Sequence, residues 1–200
     1  MTNTNKHKFP KKRHKRNGMS ALTGAGLILI GGVLFLLLLN GGGKSAALPS
    51  PDELSIVPAE VNFPAPQLAL ENINGEIQSL EDFQGSIVLV NNWATWCPPC
   101  KAEMPILKQY HNAHAAEGFT IVAVEAGDEK DAVSEFANTL GLTFPVWLDP
   151  ESASINAIHN GSLPNSYVID RTGTVRYAWT GEVTMSMLEK YITPLIAESN

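Results

Sequence analysis

The pattern of apolar and polar positions divides this chain into segments of different character. From Ala21 to Leu39 nothing is charged, and Val33–Leu39 is apolar throughout. A helix over this run spans about 28 Å at ~1.5 Å per residue, close to the ~30 Å hydrocarbon core of a bilayer. Further along, the apolar runs shorten. Ser86–Asn92 and Phe119–Glu125 are nearly continuous apolar stretches, the mark of strands covered on both faces. Gln67–Leu70 and Glu76–Ser79 are extended candidates around Asn74-Gly75, a hairpin turn signal. A helix is expected from the cysteines to about Glu117, and an amphipathic one over Glu129–Leu140 with Gly141 at its end. Phe144–Leu148 reads as a short strand and Glu151–Ile158 as a helix. Ser166–Asp170 and Thr174–Trp179 flank Arg171-Thr172-Gly173 as an antiparallel hairpin. Thr184–Ala197 supplies a last helix, which Pro194 bends or ends early. This alternation predicts an α/β domain, a central mixed sheet with helices on both faces and an N-terminal β-hairpin.

Charge orients the first apolar run. Lys6, Lys8, Lys11, Lys12, Arg13, Lys15 and Arg16 precede it, and residues 1–20 carry no acid. Such a cluster stays on the cytoplasmic side, so residues 1–20 read as a basic tail and 21–39 as a single transmembrane anchor. Ser45-Ala46-Ala47 offers the small residues of a cleavage site, yet the run exceeds the ~7–15 residues of a signal peptide and favours an uncleaved anchor. Gly41-Gly42-Gly43 and then Pro49, Pro51 and Pro58 mark residues 40–60 as a linker. One domain remains, residues 61–200, on the outer side of a membrane. Residues 45–200 carry six Lys and Arg against all 20 acids, a field that repels nucleic acid.

The chain has only two cysteines, Cys97 and Cys100, so no cysteine is left for a structural disulfide framework. They lie in Trp93-Ala94-Thr95-Trp96-Cys97-Pro98-Pro99-Cys100, directly after a buried strand and at the start of a helix. Free N–H groups and the partial positive charge of a helix N-terminus stabilise a thiolate, which makes Cys97 the nucleophile. Cys100, one turn inside, is placed to attack the resulting mixed disulfide. Proline is tolerated in a first helical turn, although Pro99 disfavours helical geometry at Pro98, so regular helix is expected from Pro99. A structural zinc site wants about four ligands, and a second Cys pair is lacking.

Trp-Cys-Pro-Pro-Cys, Pro105 five residues beyond Cys100, and Leu163-Pro164 ahead of the hairpin strand resemble the thioredoxin superfamily. More narrowly the chain is similar to its TlpA/ResA-like extracytoplasmic branch over residues 61–200. Phe63-Pro64-Ala65-Pro66, Leu80–Gly85 and Lys101-Ala102-Glu103-Met104-Pro105 add to the likeness. The resemblance implies a thioredoxin fold, with Pro105 kinking the active-site helix and Pro164 as a cis-proline facing the cysteines. A trans turn proline is the plainer reading of the sequence alone. Leu163 backbone beside Pro164 would pair with an extended substrate segment, while Trp96 and Pro98 would contact substrate. Asn165 departs from the threonine often found after that proline.

Asn91 stands where cytoplasmic thioredoxins carry a buried aspartate, and this departure raises the interest of Glu103. Glu103 shares a helix face with Cys100 and, by resemblance, adjusts cysteine acidity; the plainer reading is an exposed carboxylate in the first turns. Deprotonation of Cys100 during resolution is the expected role. Trp93 is expected in the core. His111 and His114 read as a solvated helix face.

The resemblance implies a membrane-tethered reductant of protein disulfides, for example in apocytochrome c. A membrane thiol carrier would supply electrons, and a monomer without cofactor or metal would suffice. Two alternatives stay open: an oxidant of dithiols on the same fold, and a copper-binding assembly factor using Cys97, Cys100 and His159. A peroxidase is disfavoured, because its Pro-x-x-x-Thr-x-x-Cys arrangement is absent upstream of Cys97.

Overall fold

The computed structural model describes residues 57–198. The basic tail, the apolar run at 21–39 and the linker as far as residue 56 lie outside the described residues. Among the described residues no helix is long and apolar enough to cross a membrane.

The central strand is β4 (Ile87–Trp93), and all seven of its residues are buried, as a continuous apolar run requires. It pairs in parallel with β5 (Phe119–Glu125), from Ile87↔Phe119 to Trp93↔Glu125. On its other side runs β7 (Asn165–Ile169), antiparallel, with Asn92 opposite Asn165. Strands β1 (Ala59–Pro64), β2 (Ala69–Asn72), β3 (Ile77–Ser79), β6 (Val146–Leu148) and β8 (Thr174–Thr180) complete an eight-stranded mixed sheet. Its order is β1-β8-β7-β4-β5-β6-β2-β3.

Alternate side chains on the strands serve two cores. Ile87, Leu89, Trp93, Ile121, Ala123 and Val168 pack with α1 (Pro98–His114), α2 (Lys130–Leu140) and the C-terminal helical segment α4 (residues 185–197). Val88, Val90, Val122, Val124, Tyr167 and Ile169 pack with Leu80 and Phe83 of a 3₁₀ turn and with α3 (Ala153–Ala157) and its flank. Helices therefore cover both faces, unequally.

Local chemistry accounts for the differences from the sequence pattern. The anticipated hairpin forms as β2–β3, but its first strand runs to Asn72, whose Oδ1 accepts from the amides of Asn74 and Glu76 at 2.9 and 3.1 Å. Strand β1 begins at Ala59, inside the stretch read as linker. It is an edge strand pairing with β8, and its mostly exposed side chains leave no apolar alternation to read. The first helix starts at Pro98 rather than Pro99, because two prolines in a first turn forfeit only N–H groups that have no partner there. Pro194 does not end the last helix. α4 is helical at Met185–Met187, winds more widely as a π-helix over Leu188–Ile192, and resumes at Thr193–Ala197 with Pro194 in the opening turn.

Candidate active site

Both cysteines sit at the junction of β4 and α1. Cys97 is the residue that caps α1, with φ −91° and ψ 107°, and its sulfur accepts from the Cys100 amide at 3.3 Å. The two are bonded as a disulfide, their Cα atoms 5.3 Å apart. Cys100 is fully buried and Cys97 is 4% exposed, whereas Pro98 and Pro99 lie at the surface. Both cysteines are thus shielded, with Cys97 at the helix mouth and Cys100 one turn inside, the order a nucleophile and a resolving thiol need. Trp96 is 65% exposed beside them, and Trp93 is buried against Phe136 with ring centroids 5.0 Å apart. Helix α1 continues through Pro105, whose side chain is at the surface.

The Leu163–Pro164 peptide is cis. Pro164 directly precedes Asn165, which pairs with Asn92, so the register brings it to the sheet end from which the active-site loop departs. Leu163 packs against the cluster that contains Cys97 and Cys100. Among the described residues its amide and carbonyl make no hydrogen bond, whereas the Pro164 carbonyl accepts from Gly181 at 2.8 Å. Asn165 is a brace. Its Oδ1 accepts from Asn92 Nδ2 at 2.8 Å, and its own amide donates to the carbonyls of Ser162 and Asn160 at 2.8 and 3.2 Å.

Glu103 is fully buried, not an exposed first-turn carboxylate. Oε1 accepts from Asn91 Nδ2 at 2.8 Å and Oε2 from the Val183 amide at 2.8 Å. Burial drives its pKa from 4.5 to about 7; the bonds from Val183 and Asn91 oppose the rise, and the Glu182 charge adds to it. Such a carboxyl exchanges protons near neutrality. Asn91 also donates to Ser166 Oγ at 3.0 Å, so one amide joins α1, β4 and β7.

The two histidines of α1 part company. His114 bonds Glu117 Oε2 at 3.0 Å, but His111 is 8% exposed, bonded to Thr143 Oγ1 at 2.9 Å and edge-on to Phe144. His111 belongs to the core and not to a solvated face; burial lowers its pKa. His159 is exposed beyond α3, and among the described residues no three His, Cys, Asp or Glu side chains gather as metal ligands. The copper set of Cys97, Cys100 and His159 is therefore not assembled.

Sequence reasoning missed a second acidic group at this end of the sheet. Glu125 closes β5 in register with Trp93 and is fully buried, and Asp128 accepts from the Thr95 amide at 3.0 Å. A charged residue ending an otherwise apolar strand was the available signal.

A mixed sheet whose central strand delivers a Cys-Pro-Pro-Cys pair to a helix mouth, with a cis-proline at the same end of the sheet, defines a thioredoxin-fold thiol–disulfide oxidoreductase. Residues 61–178 match the AhpC/TSA family, and the chain belongs to that family, in its ResA-like branch. It is 36% identical over 132 residues to the thiol-disulfide oxidoreductase ResA of Geobacillus kaustophilus, covering 66% of this chain and 76% of that one. The ResA of Oceanobacillus iheyensis is 30% identical over 198 residues, 97% of each chain. Among solved structures, a thiol:disulfide interchange protein of the thioredoxin family from Chlorobium tepidum superposes with TM-score 0.62 at 26% identity, covering 70% of this chain and 99% of that one.

Proposed function

We propose that this protein is a membrane-anchored reductant of protein disulfides, held by residues 21–39 with its catalytic domain outside the cytoplasm. The observation that carries the chemistry is the capped Cys97 sulfur at the mouth of α1, with buried Cys100 bonded to it and buried Glu103 on the same helix. In the reducing direction the Cys97 thiolate attacks one sulfur of a client disulfide, and the other client sulfur leaves as a thiolate that takes up a proton. Glu103 accepts the Cys100 proton, and the Cys100 thiolate attacks Cys97 Sγ. The second client thiol departs and the Cys97–Cys100 disulfide forms. A thiol donor in the membrane returns two electrons to that disulfide.

Trp96 and Pro98 form the exposed lip that meets the client. Leu163, with unused backbone groups beside Pro164, offers a short edge for an extended client segment. Apocytochrome c is the client that the resemblance favours, and one domain acts as a monomer. The relative from Oceanobacillus, alike over 97% of this chain, supports treating the basic and apolar N-terminal segments as part of the functional protein. The test is the Cys97–Cys100 reduction potential together with mixed-disulfide trapping on Cys100→Ser. A potential near the ~−270 mV end of the superfamily range and trapped exported disulfide proteins are expected. A potential near ~−120 mV would reverse the direction and make the protein an oxidant.

A further inference from the structure

Thr95, two residues before Cys97, is held from outside the active-site helix. Its amide and hydroxyl both donate to Asp128 Oδ2, at 3.0 and 2.6 Å. Asp128 lies in the turn after β5, and its own amide donates back to Glu125 Oε2 at 2.8 Å, beside the Gly127 amide at 3.1 Å. Gly127 has φ +101°, a conformation that residues with a Cβ avoid, so this turn is shaped to close over the Glu125 carboxyl. Glu125 is fully buried, and its Oε1 has no hydrogen-bond partner among the described residues. A buried carboxyl oxygen without a partner is costly to ionise, which favours the neutral form of Glu125.

Burial first, and then Asp128, raise the Glu125 pKa from 4.5 to about 7. Burial also acts to raise Asp128, but the hydrogen bonds from Thr95 oppose it, and Asp128 is held below the ordinary aspartate value. The proton therefore resides on Glu125 and the charge on Asp128, where Thr95 uses it. The remaining surroundings supply no counter-charge. Glu125 is in register with Trp93 on β4 and Leu148 on β6. Asp149, next along, spends its carboxylate on the amides of Ala153 and Ser154, at 2.7 and 2.8 Å. At the start of α2, Lys130 is paired with Glu71 at 2.8 Å, with Glu129 and Asp131 as its neighbours.

We propose that Asp128 and Glu125 are a pair of positioning residues, which hold the loop before Cys97 through Thr95 and couple its placement to the protonation of Glu125. The proposal rests on the thiol–disulfide reading and extends it to a group outside the reacting atoms. When Glu125 loses its proton, a second carboxylate joins that of Asp128 on one short turn, and the two repel. Swinging Asp128 outward relieves that repulsion and releases both Thr95 donors. The Cys97 amide, bonded at 3.2 Å to the Ala94 carbonyl on the other side of Thr95, moves with the loop. The consequence is a second proton-dependent step in Cys97 reactivity, separate from the thiol's own ionisation and from Glu103.

The test is a pH titration of the Thr95 backbone amide by ¹⁵N NMR on the oxidised full-length chain, paired with the pH profile of Cys97 alkylation on the reduced chain. An inflection near pH 7 is expected in the wild-type Thr95 shift, lost in Glu125→Gln and kept in Glu103→Gln. Asp128→Asn should move it to lower pH by removing the like charge. The alkylation profile should lose its inflection near neutrality in Glu125→Gln. A flat wild-type Thr95 titration, an inflection that survives Glu125→Gln, or an alkylation profile untouched by that change overturns the proposal. Should Glu125→Gln fail to fold, an inflection that Asp128→Asn leaves in place does the same. The amide titration needs no client and no potential, so it fails independently of the assigned direction of electron flow.

Discussion

Asn91 donates its side-chain amide to Glu103 Oε1 across 2.8 Å, joining the central strand to the active-site helix beneath the cysteines. The neutral amide leaves Glu103 as the buried ionisable group of this contact, free to hold or release one proton. An aspartate at the same place would change that. In Asn91→Asp two buried carboxyls would touch, and like charges at that distance cannot both ionise at neutral pH. The Glu103 titration, followed by ¹³C NMR of its carboxyl carbon, should climb above its value of about 7 in this variant.

Glu103 also makes folding sensitive to pH. Its folded pKa of about 7 lies above the ordinary 4.5, so the native state holds the proton more tightly than the unfolded chain does. The sign follows: this group's contribution is fully present below pH 4.5 and is lost as pH rises through 7. At ~1.4 kcal/mol per pH unit the swing is about 3 kcal/mol. Urea unfolding at a series of pH values should show stability falling across this window, and Glu103→Gln should flatten the fall.

Arg171 stabilises the end of the chain without touching the chemistry. Its guanidinium donates to the carbonyls of Leu195 and Glu198 at 2.9 and 3.0 Å and of Ile196 at 2.9 Å, the free carbonyls at the close of α4. Arg171→Ala should cost about 1.5–3 kcal/mol in urea unfolding. The Cys97–Cys100 potential should stay where it is.

Asn165 should trade stability and loop order together. Asn165→Thr retains β propensity but cannot replace one bond to Asn92 and two to the 160–162 backbone. A loss of about 1–3 kcal/mol is expected, with slower reduction of a model protein disulfide as the Leu163–Pro164 segment loosens.

Trp96 should behave in the opposite way. With 65% of its surface exposed, Trp96→Ala should alter stability by less than about 0.5 kcal/mol. Client capture on the Cys100→Ser background should fall, since an exposed aromatic at the lip contributes chiefly to contact. Undiminished capture would remove Trp96 from the client surface.

Much of the fold was legible from local signals. Ser86–Asn92 and Phe119–Glu125 read as buried strands because both of their faces are apolar, and Gly141 read as a helix end because α2 needs a residue at φ +58° there. Strand β1 was not legible, since an edge strand with exposed side chains leaves no periodic trace. His111 was misjudged for a related reason. Its burial comes from Thr143 and Phe144, far along the chain, and one helix face alone cannot announce them.

The reacting pair and its setting are written in the chain: two cysteines, one turn apart, after a buried strand and before a proline-opened helix. Those are short-range facts, written in neighbouring residues. Long-range packing set the rest: Glu103 is buried and bonded to Val183, Asn165 is a brace, and Asp128 reaches Thr95. Each depends on which strand lies beside which, and the acidity of a carboxyl depends on what surrounds it rather than on its place in the chain.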